Sequence, residues 1–396
     1  MGSTKRLGNF SKLRLGAALM SVMVLCFGAA TTRSARAQTL HVLYNFAGSS
    51  DGGDPFASLI RDAAGNLYST VDYGGTSFAG AVFKVAPNGT ETVLYSFSGG
   101  SDGAYPFSPV VRDGAGNLYG TTSMGGSANA GVVFKVDTNG TETVLHSFTG
   151  GQDGVTPIGG LLRDKAGNLY GTTSQGGTSN DGVLFKITPR GKEIILHTFT
   201  GSTKDGKYPS YTSLLSDAQG NLYGVTEEGG AADGGILYKL NTSGKFTILH
   251  SFKGGTTDGC NVLGTPFMDA AGNFYGTTSS CGTHMLGTVW KVDQSGKEKV
   301  LHSFAGGTTD GEYPLAGVIV DADGNIYGNT ETGGSDDVGT VYEISKTGKF
   351  ALLHSFNGTD GKYPYGSFVQ NAKGTLFGTT QNGGTIGYGT VWKIVK

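Results

Sequence analysis

Carboxylate, amide and aromatic side chains follow a recurring Thr-Thr step in the sequence, and their types differ from one occurrence to the next. Carboxylates and amides hydrogen-bond sugar hydroxyls, while aromatic rings cover the apolar face of a sugar, so this combination is typical of a carbohydrate-binding surface. The candidate ligand-binding residues are Asp72, Tyr73, Gln175, Tyr208, Glu227, Glu228, His284, Glu331 and Asn382. The recurring Tyr-Pro steps near them have a second explanation, which is packing against the next repeat.

Polysaccharide cleavage is an alternative interpretation of the same residues. A hydrolase needs two carboxyl groups roughly 5 to 10 Å apart, one of them with a raised pKa. A lyase would instead use a tyrosine or histidine base and a cation that neutralises a uronate, for which Tyr208, His284 and Lys207 are candidates. The spacing selects no pair, so catalytic residues stay unassigned. The sequence contains no nucleophile elbow, phosphate loop or Cys-x-x-Cys pair.

A sequence unit that returns seven times must position these residues. Its glycine pairs, with Cys281-Gly282 in the fifth place, lie 50 to 53 residues apart. Each unit contains four short β-rich runs, which in the second unit are 107–112, 117–122, 132–136 and 143–148. Turn signals such as Asn139-Gly140 separate the runs. A period near 50 with four strands per unit predicts an all-β fold, a seven-bladed β-propeller with one blade per repeat.

The two ends of the repeat array predict how the ring closes. The last third strand, 390–394, is not followed by a fourth strand, whereas 42–46 has the sequence of a fourth strand and precedes the first complete unit. We therefore expect the N-terminal strand to pair with the C-terminal blade, which removes the exposed sheet edges that promote aggregation.

The repeated unit L-H-S-F-x-G-x-x-D-G-x-x-P, followed by D-x-x-G-N-L-Y-G-T-T-x-x-G-G and G-x-V-F-K-V, resembles the tandem repeat of the GloVer (Gloeobacter/Verrucomicrobia) family. The resemblance covers residues 40–396. It implies an exported bacterial β-propeller-like protein and no agreed biochemical activity. The chain ends at Lys396 without the anchoring tail that many members carry, so free secretion or a periplasmic location is expected.

Residues 1–37 have the pattern of a cleaved signal peptide, with a basic head, an apolar run and Ala35-Arg36-Ala37 as the cleavage site. Cys26 lacks the context of a lipid-attachment site. Residues 38–396 are then a single propeller domain. Six of the 29 basic residues and none of the 31 acidic residues precede residue 38, so the mature chain has a net charge of about −8. This charge disfavours nucleic acid as a partner, and we expect a monomer with no membrane segment after cleavage.

Residues that recur in most repeats are interpreted as structural, because one asymmetric site needs a residue only once. Histidine occupies one repeat position five times, on separate outer strands, so a metal site is not predicted there. The Asp-Gly pairs predict either Asx turns or a ring of carboxylates that binds Ca²⁺. We expect no cofactor, with Ca²⁺ as the alternative. These series are His146, His197, His250, His302 and His354, and Asp51, Asp102, Asp153, Asp205, Asp258, Asp310 and Asp360.

Two smaller sets are asymmetric. Arg61, Arg112 and Arg163 share one position in three consecutive repeats, which predicts either an anion site or ion pairs with the adjacent turn aspartates. Cys260 and Cys281 lie in two loops that should emerge on the same face of the fifth blade. Because an exported protein meets an oxidising environment, we predict a disulfide between them.

Overall fold

The computed structural model describes residues 38–396, which form seven four-stranded antiparallel sheets arranged as a β-propeller. The predicted fold class is therefore confirmed. The predicted signal peptide, its cleavage site and Cys26 lie outside the described residues. Within 38–396 no helix is long and apolar enough to cross a membrane.

The strands follow the chain blade by blade, with the first strand of each blade nearest the central channel. The N-terminal strand is β1 (Thr39–Asn45). Blade one contains β2 (Ile60–Arg61), β3 (Leu67–Val71), β4 (Ala81–Val85) and β5 (Glu91–Ser96). Blade two contains β6 (Val111–Arg112), β7 (Leu118–Thr122), β8 (Val132–Val136) and β9 (Glu142–Ser147). Blade three contains β10 (Leu162–Arg163), β11 (Leu169–Thr173), β12 (Val183–Ile187) and β13 (Glu193–Thr198).

The next three blades each include an extra pair of two-residue strands. Blade four contains β14 (Gly206–Lys207), β15 (Leu215–Ser216), β16 (Leu222–Thr226), β17 (Glu228–Gly229), β18 (Ile236–Leu240) and β19 (Phe246–Ser251). Blade five contains β20 (Gly259–Cys260), β21 (Phe267–Met268), β22 (Phe274–Thr278), β23 (Ser280–Cys281), β24 (Thr288–Val292) and β25 (Glu298–Ser303). Blade six contains β26 (Gly311–Glu312), β27 (Ile319–Val320), β28 (Ile326–Thr330), β29 (Thr332–Gly333), β30 (Thr340–Ile344) and β31 (Phe350–Ser355). Blade seven contains β32 (Val369–Gln370), β33 (Leu376–Thr380) and β34 (Thr390–Val395), and β1 completes it.

The ring closes as the sequence predicts. β1 pairs antiparallel with β34, from Thr39 opposite Val395 to Asn45 opposite Thr390, with a bulge between Val42 and Tyr44. The first strand of the chain thus shares one sheet with the last three, β32, β33 and β34. The seventh blade therefore has four strands, as the other blades do.

A buried phenylalanine after each fourth strand joins that blade to the next. Phe97, for example, is fully buried and its ring centroid lies 5.0 Å from that of Phe134 in the third strand of blade two. Each such contact buries a side chain whose removal from water contributes roughly 1.5 to 3 kcal/mol. The corresponding pairs are Phe46 with Phe83, Phe148 with Phe185, Phe199 with Tyr238, Phe252 with Trp290, Phe304 with Tyr342, and Phe356 with Trp392.

The first strand is shorter than predicted. In blade two only Val111–Arg112 pairs with the second strand, so the predicted span 107–112 is wrong in its first four residues. The residues before the short strand bond to the neighbouring blade instead, since Oγ1 of Thr70 donates to the carbonyl of Ser108 over 2.8 Å. The first threonine of the Thr-Thr step thus holds the channel-lining segment of the next blade. Equivalent bonds run from Thr121 to Gly159, Thr172 to Pro209, Thr277 to Ala316, Asn329 to Gly366 and Thr379 to Ala57.

At the seven junctions between blades, the recurring position on the fourth strand lies beside the aspartate of the Asp-Gly turn; it is a histidine in five copies and Tyr44 or Tyr95 in the other two. In each Asp-Gly turn the aspartate accepts a hydrogen bond from a backbone N–H a few residues earlier, as Asp102 does from Ser98 over 2.7 Å. The prediction that these carboxylates cap nearby backbone N–H groups is therefore confirmed, although the donors precede the aspartate, whereas an Asx turn uses the N–H two residues after it. The same carboxylates also face the recurring position on the fourth strand, so Nε2 of His354 lies 2.8 Å from Asp360 and the hydroxyl of Tyr95 donates to Asp102 over 2.8 Å.

The three arginines of the first blades do not pair with turn aspartates. Their guanidinium carbons lie 5.5 to 5.8 Å from the centroid of an aromatic ring on the second strand of the preceding blade. In blades three to five a lysine of the third strand covers the equivalent ring. In blade six Glu343 occupies that lysine position, and Lys396 covers Tyr327 instead. The second-strand ring of each blade is therefore covered by a cation, which is an arginine of the next blade in three cases and a lysine in the others. This explains why arginine occurs at that position in only three repeats.

Candidate functional site

One face of the ring is built by a repeated pairing of two loops, the loop before the first strand and the loop after the second strand. In blades four, five and six the loops form two-stranded ribbons, β14 with β17, β20 with β23, and β26 with β29. In the other blades a single bridge joins the same positions: Gly53 with Tyr73, Ala104 with Met124, Val155 with Gln175, and Lys362 with Asn382. We call this surface the ribbon face.

A disulfide between Cys260 and Cys281 crosses the ribbon of blade five, with 5.4 Å between the two Cα atoms. The sequence prediction that these cysteines are bonded is therefore confirmed in the structure. It also confirms that the two loops lie on the same face. A disulfide is typical of proteins in an oxidising compartment.

The central channel opens on the ribbon face into a cavity of about 280 Å³. One large side chain from each blade lines it, and five of these side chains directly follow a proline, which cannot donate a ladder hydrogen bond. Beneath them the wall consists of small residues, such as Ser58, Ser213 and Ser367, whose hydroxyls are polar groups in an otherwise apolar wall. The large residues are Phe56, Phe107, Ile158, Tyr211, Leu263, Leu315 and Tyr365.

Aromatic rings meet across the channel mouth. The ring of Phe56 stacks on Tyr365 with 4.6 Å between centroids, and it lies 5.3 Å from Tyr211 and 5.8 Å from Phe107. Tyr211 comes from blade four, where the segment between ribbon and first strand is one residue longer than in the other blades. This extra residue explains how Tyr211 reaches Phe56 of blade one while 43% of its surface remains exposed.

Two glutamates stand beside the two tyrosines of the mouth. The hydroxyl of Tyr365 donates to Oε1 of Glu331 over 2.5 Å. Burial, and then the hydrogen bond to Glu331, raise the pKa of the Tyr365 hydroxyl. Burial, and then the charge of Glu227, raise the pKa of Tyr211. Each tyrosine is thus kept as a neutral hydrogen-bond donor next to a carboxylate acceptor, and both pairs present polar groups around an aromatic floor.

Burial also affects Glu227 itself. It raises the pKa of this carboxyl, and the neighbouring charge of Glu228 adds to the effect. Glu228 lies on the outer side of the ribbon, where its carboxylate is 2.8 Å from Nζ of Lys207. Lys207 also lies 3.3 Å from Asp233 and 5.7 Å from the centroid of Tyr208. Glu228 and Tyr208 therefore belong to a surface ion-pair cluster, and only Glu227 faces the mouth.

A second polar cluster lies on the ribbon face where blade seven meets blade one. Nδ2 of Asn382 donates to Oδ1 of Asp54 over 2.9 Å. Burial, and then the charge of Asp54, raise the pKa of Asp72 to about 7, and one buried oxygen of Asp72 has no hydrogen-bond partner. Next to these acids, the partly exposed rings of Tyr73 and Tyr388 lie parallel with 6.3 Å between centroids.

The nine candidate residues therefore fall into separate places on one face. Glu227 and Glu331 border the channel mouth, Asp72, Tyr73 and Asn382 form the cluster between blades seven and one, and Gln175 and His284 are exposed in blades three and five. Sequence reasoning missed Asp54, Tyr388 and most of the residues that line the cavity. Aligning the residue after the proline that precedes the first strand would have found five of the seven large lining residues, because Phe56, Phe107, Ile158, Leu315 and Tyr365 all occupy that position.

Comparisons with known proteins agree with this architecture. The model of the Gloeobacter/Verrucomicrobia repeat matches residues 28–232 and 210–396. No curated protein matches the chain. Among solved structures, a streptogramin B lyase is similar with a TM-score of 0.57 and 10% identity, over 90% of this chain and 97% of that chain. A gluconolactonase from Xanthomonas campestris has a TM-score of 0.42 and 14% identity, over 71% of this chain and 82% of that chain. At 10% identity the likeness to the streptogramin B lyase shows the fold alone.

Proposed function

The chain belongs to the Gloeobacter/Verrucomicrobia repeat family, and from this premise we propose that it is a secreted or periplasmic binding protein that takes a neutral glycan at its channel mouth. The observation that carries the proposal is the arrangement of Phe56 and Tyr365, stacked at the mouth, with the Glu331 carboxylate bonded to the Tyr365 hydroxyl. An aromatic surface next to hydrogen-bonding carboxylates and hydroxyls is suited to a sugar ring, which has one apolar face and polar edges.

The size of the cavity supports a small part of a glycan as the ligand. Its volume of about 280 Å³ lies just below the roughly 300 to 1,000 Å³ that is typical of small-molecule cavities. One sugar unit or the end of a chain would enter the mouth, and further units would lie on the ribbon face. The ribbons place polar loop residues around the mouth, so they are positioned to contact such units.

Charge favours a neutral ligand over an anionic one. The charged groups at the mouth are Glu227 and Glu331, and residues 38–396 carry an excess of about eight negative charges. Lys207, the cation considered for a uronate lyase, already forms ion pairs with Glu228 and Asp233. A polyuronate would meet like charge from Glu227 and Glu331 at the mouth, which weakens the lyase alternative.

Two observations support the proposed compartment. The disulfide between Cys260 and Cys281 fits an oxidising environment, and residues 1–37 have the pattern of a signal peptide. The mass of the protein secreted by its host would test this directly, because cleavage after Ala37 leaves a chain that begins at Gln38.

A glycan array followed by calorimetric titration tests binding. We expect neutral glycans to bind, and we expect Glu331→Gln, Glu227→Gln and Phe56→Leu each to weaken binding about tenfold or more, equivalent to 1.4 kcal/mol. Gln219→Ala is the control, because Gln219 is exposed in the turn between the first and second strands of blade four, away from the ribbon face. If the mouth variants bind like the control and the wild type, the site assignment is wrong.

A second candidate function, glycoside hydrolysis, is favoured by one specific observation. Asp72, with its pKa raised to about 7, is protonated near neutral pH as a general acid must be, and Asp54 is a second carboxyl beside it. Incubation with neutral polysaccharides, followed by analysis of reducing ends, tests this function. Product formation that disappears in Asp72→Asn supports hydrolysis, whereas no product from the wild type leaves binding as the function.

A further inference from the structure

The seven junctions between blades repeat one three-residue arrangement with different residues in it. A histidine or tyrosine on one fourth strand and the aspartate of the following Asp-Gly turn face a third residue, which begins the fourth strand of the next blade. The combinations with glutamate in the third place are Tyr44, Asp51 and Glu91; Tyr95, Asp102 and Glu142; His146, Asp153 and Glu193; and His250, Asp258 and Glu298.

In the other three junctions the third residue is apolar: Phe246, Phe350 or Leu40. In these the histidine is hydrogen-bonded directly to the aspartate. Nε2 of His197 lies 3.0 Å from Asp205, and its ring stacks on Phe246 with 4.0 Å between centroids. His302 has the same contacts with Asp310 and Phe350. These histidines have a partner within the fold.

Two junctions combine a histidine with a glutamate, and in both the imidazole Nε2 is buried without a hydrogen-bond partner; at one of them Nε2 of His250 lies 3.8 Å from Asp258. Among the described residues, the junction between blades two and three is the one at which three ligand atoms converge. Nε2 of His146 lies 3.9 Å from Oδ2 of Asp153 and 3.7 Å from Oε2 of Glu193, and neither distance is a hydrogen bond. Nε2 of His146 and Oε1 of Glu193 are buried and have no hydrogen-bond partner. One ligand atom from each of the three residues lies within 4.8 Å of the others. A buried imidazole nitrogen thus stands between two carboxylates without a bond to either.

Buried polar atoms without partners are unfavourable, so the convergence of such atoms at this junction calls for a missing partner. A proton alone could join one pair of these groups, whereas a cation would satisfy all three. An imidazole nitrogen with two carboxylates is a ligand set suited to zinc and similar divalent ions, which bind at about 2.0 to 2.2 Å. Ligand atoms at such distances are roughly 3 to 3.5 Å apart, so small side-chain rotations would close the site.

We propose that His146, Asp153 and Glu193 bind a divalent transition-metal ion of the Zn²⁺ class, which ties blade two to blade three. Water would complete the coordination, since the three side chains remain slightly exposed. The site is independent of the channel mouth and of the glycan proposal. The site could not be predicted from the sequence, because the recurring histidines lie on separate outer strands and the convergence of His146 with Glu193 depends on how adjacent blades pack.

The other repeats supply variants that should fold. His146→Tyr reproduces the combination of Tyr95, Asp102 and Glu142, and Glu193→Phe reproduces that of His197, Asp205 and Phe246. His197→Tyr is the matched control, because it makes the same substitution at a junction without a glutamate. Circular dichroism and thermal unfolding verify that each variant is folded.

Titration of the chelator-treated protein with Zn²⁺ and Co²⁺, produced without a polyhistidine tag, tests the proposal. We expect a Zn²⁺ ion to bind to the wild type, a visible Co²⁺ spectrum, and affinity at this site at least about 100-fold weaker in His146→Tyr and Glu193→Phe. The affinity of His197→Tyr should be unchanged. The proposal is overturned if the wild type binds no Zn²⁺, or if both junction variants bind it as the wild type does. Should one variant fail to fold, the other decides.

Discussion

Tyr365 of blade seven donates a hydrogen bond from its hydroxyl to Oε1 of Glu331 in blade six, so the two blades are linked at the channel mouth. The oxygens are 2.5 Å apart, and the acceptor is a carboxylate. Hydrogen bonds to charged acceptors are stronger than those between neutral groups. The hydrogen bond therefore has two roles. It fixes the orientation of the Tyr365 ring against Phe56, and it holds the Glu331 carboxylate at the mouth.

Tyr365→Phe tests the first role. The variant keeps the ring and removes the hydroxyl, and we expect it to lower the free energy of unfolding by about 1 to 2 kcal/mol, because a partly buried carboxylate loses its donor. Urea denaturation measures the change. Tyr313→Phe, at an exposed ring of the same face, is the control and should change stability by less than about 0.5 kcal/mol. Equal losses in the two variants would show that the bond contributes nothing specific.

Glu142 gives the protein a pH dependence whose sign can be worked out. Burial, and then the charge of Asp102, raise the pKa of Glu142 from 4.5 to about 7. A carboxyl whose pKa is higher in the folded than in the unfolded chain binds more protons when folded, so its contribution to stability is full below the unfolded pKa. The contribution is lost as pH rises through the folded pKa. Stability should therefore fall between about pH 4.5 and pH 7 through this group.

Glu142→Gln removes that dependence. Because the side chain is only partly buried, we discount the shift and expect the wild type to lose about 1 kcal/mol more than the variant between pH 5 and pH 8. Urea denaturation at several pH values in this range measures both slopes. Parallel curves for the two proteins would contradict the assignment. A steeper fall in the variant would mean that Glu142 is stabilised as the charged form.

Three features could be predicted from the sequence: the number of blades, the closure by β1 and the disulfide. The first two depend on a local sequence pattern that repeats along the chain, and the disulfide depends on the topology of a four-stranded blade, which brings two loops to the same face. Comparing the seven copies of one position is enough to identify turns, strands and the missing fourth strand. The register of β1 against β34 then follows from the shared position of their apolar residues.

Contacts between blades were harder to predict. The length of the first strand was overestimated because Thr70 of one blade bonds to Ser108 of the next, and no pattern within a single repeat signals that bond. The same limit applies to Tyr211, whose reach across the channel depends on one extra residue in blade four. The grouping of Asp54, Asp72 and Asn382 also depends on two blades that are far apart in the sequence.

Arg163→Met tests whether the arginines serve the fold or a ligand. Its guanidinium carbon lies 5.5 Å from the ring centroid of Tyr119, a contact worth about 0.5 to 1 kcal/mol at a partly exposed site. We expect the variant to lose about that much stability in urea denaturation and to bind inorganic phosphate and glycans as the wild type does. Arg190→Met, at an exposed arginine of blade three, is the control. Loss of phosphate binding in Arg163→Met alone would instead favour the anion site.

The disulfide of blade five crosses a ribbon that the neighbouring blades form without one. β14 with β17 and β26 with β29 have the same pairing as β20 with β23, so the fold should survive removal of both cysteines. The bond closes a loop with a sequence separation of 21 residues, for which chain entropy predicts a stabilisation of about 3 kcal/mol.

Cys281 also has a positive φ of 67°, and the equivalent residues Gly229 and Gly333 are glycines with positive φ. A residue with a Cβ atom costs roughly 1 kcal/mol in that conformation, whereas glycine does not. We compare two double variants that lack the disulfide, Cys260→Ser/Cys281→Gly and Cys260→Ser/Cys281→Ala. The glycine variant should be about 1 kcal/mol more stable than the alanine variant. Both should be less stable than the oxidised wild type. Urea denaturation of the three proteins measures the order, and peptide mapping under non-reducing conditions verifies the bond in the wild type. Two free thiols in the wild type, or an alanine variant as stable as the glycine variant, would contradict this account of the ribbon.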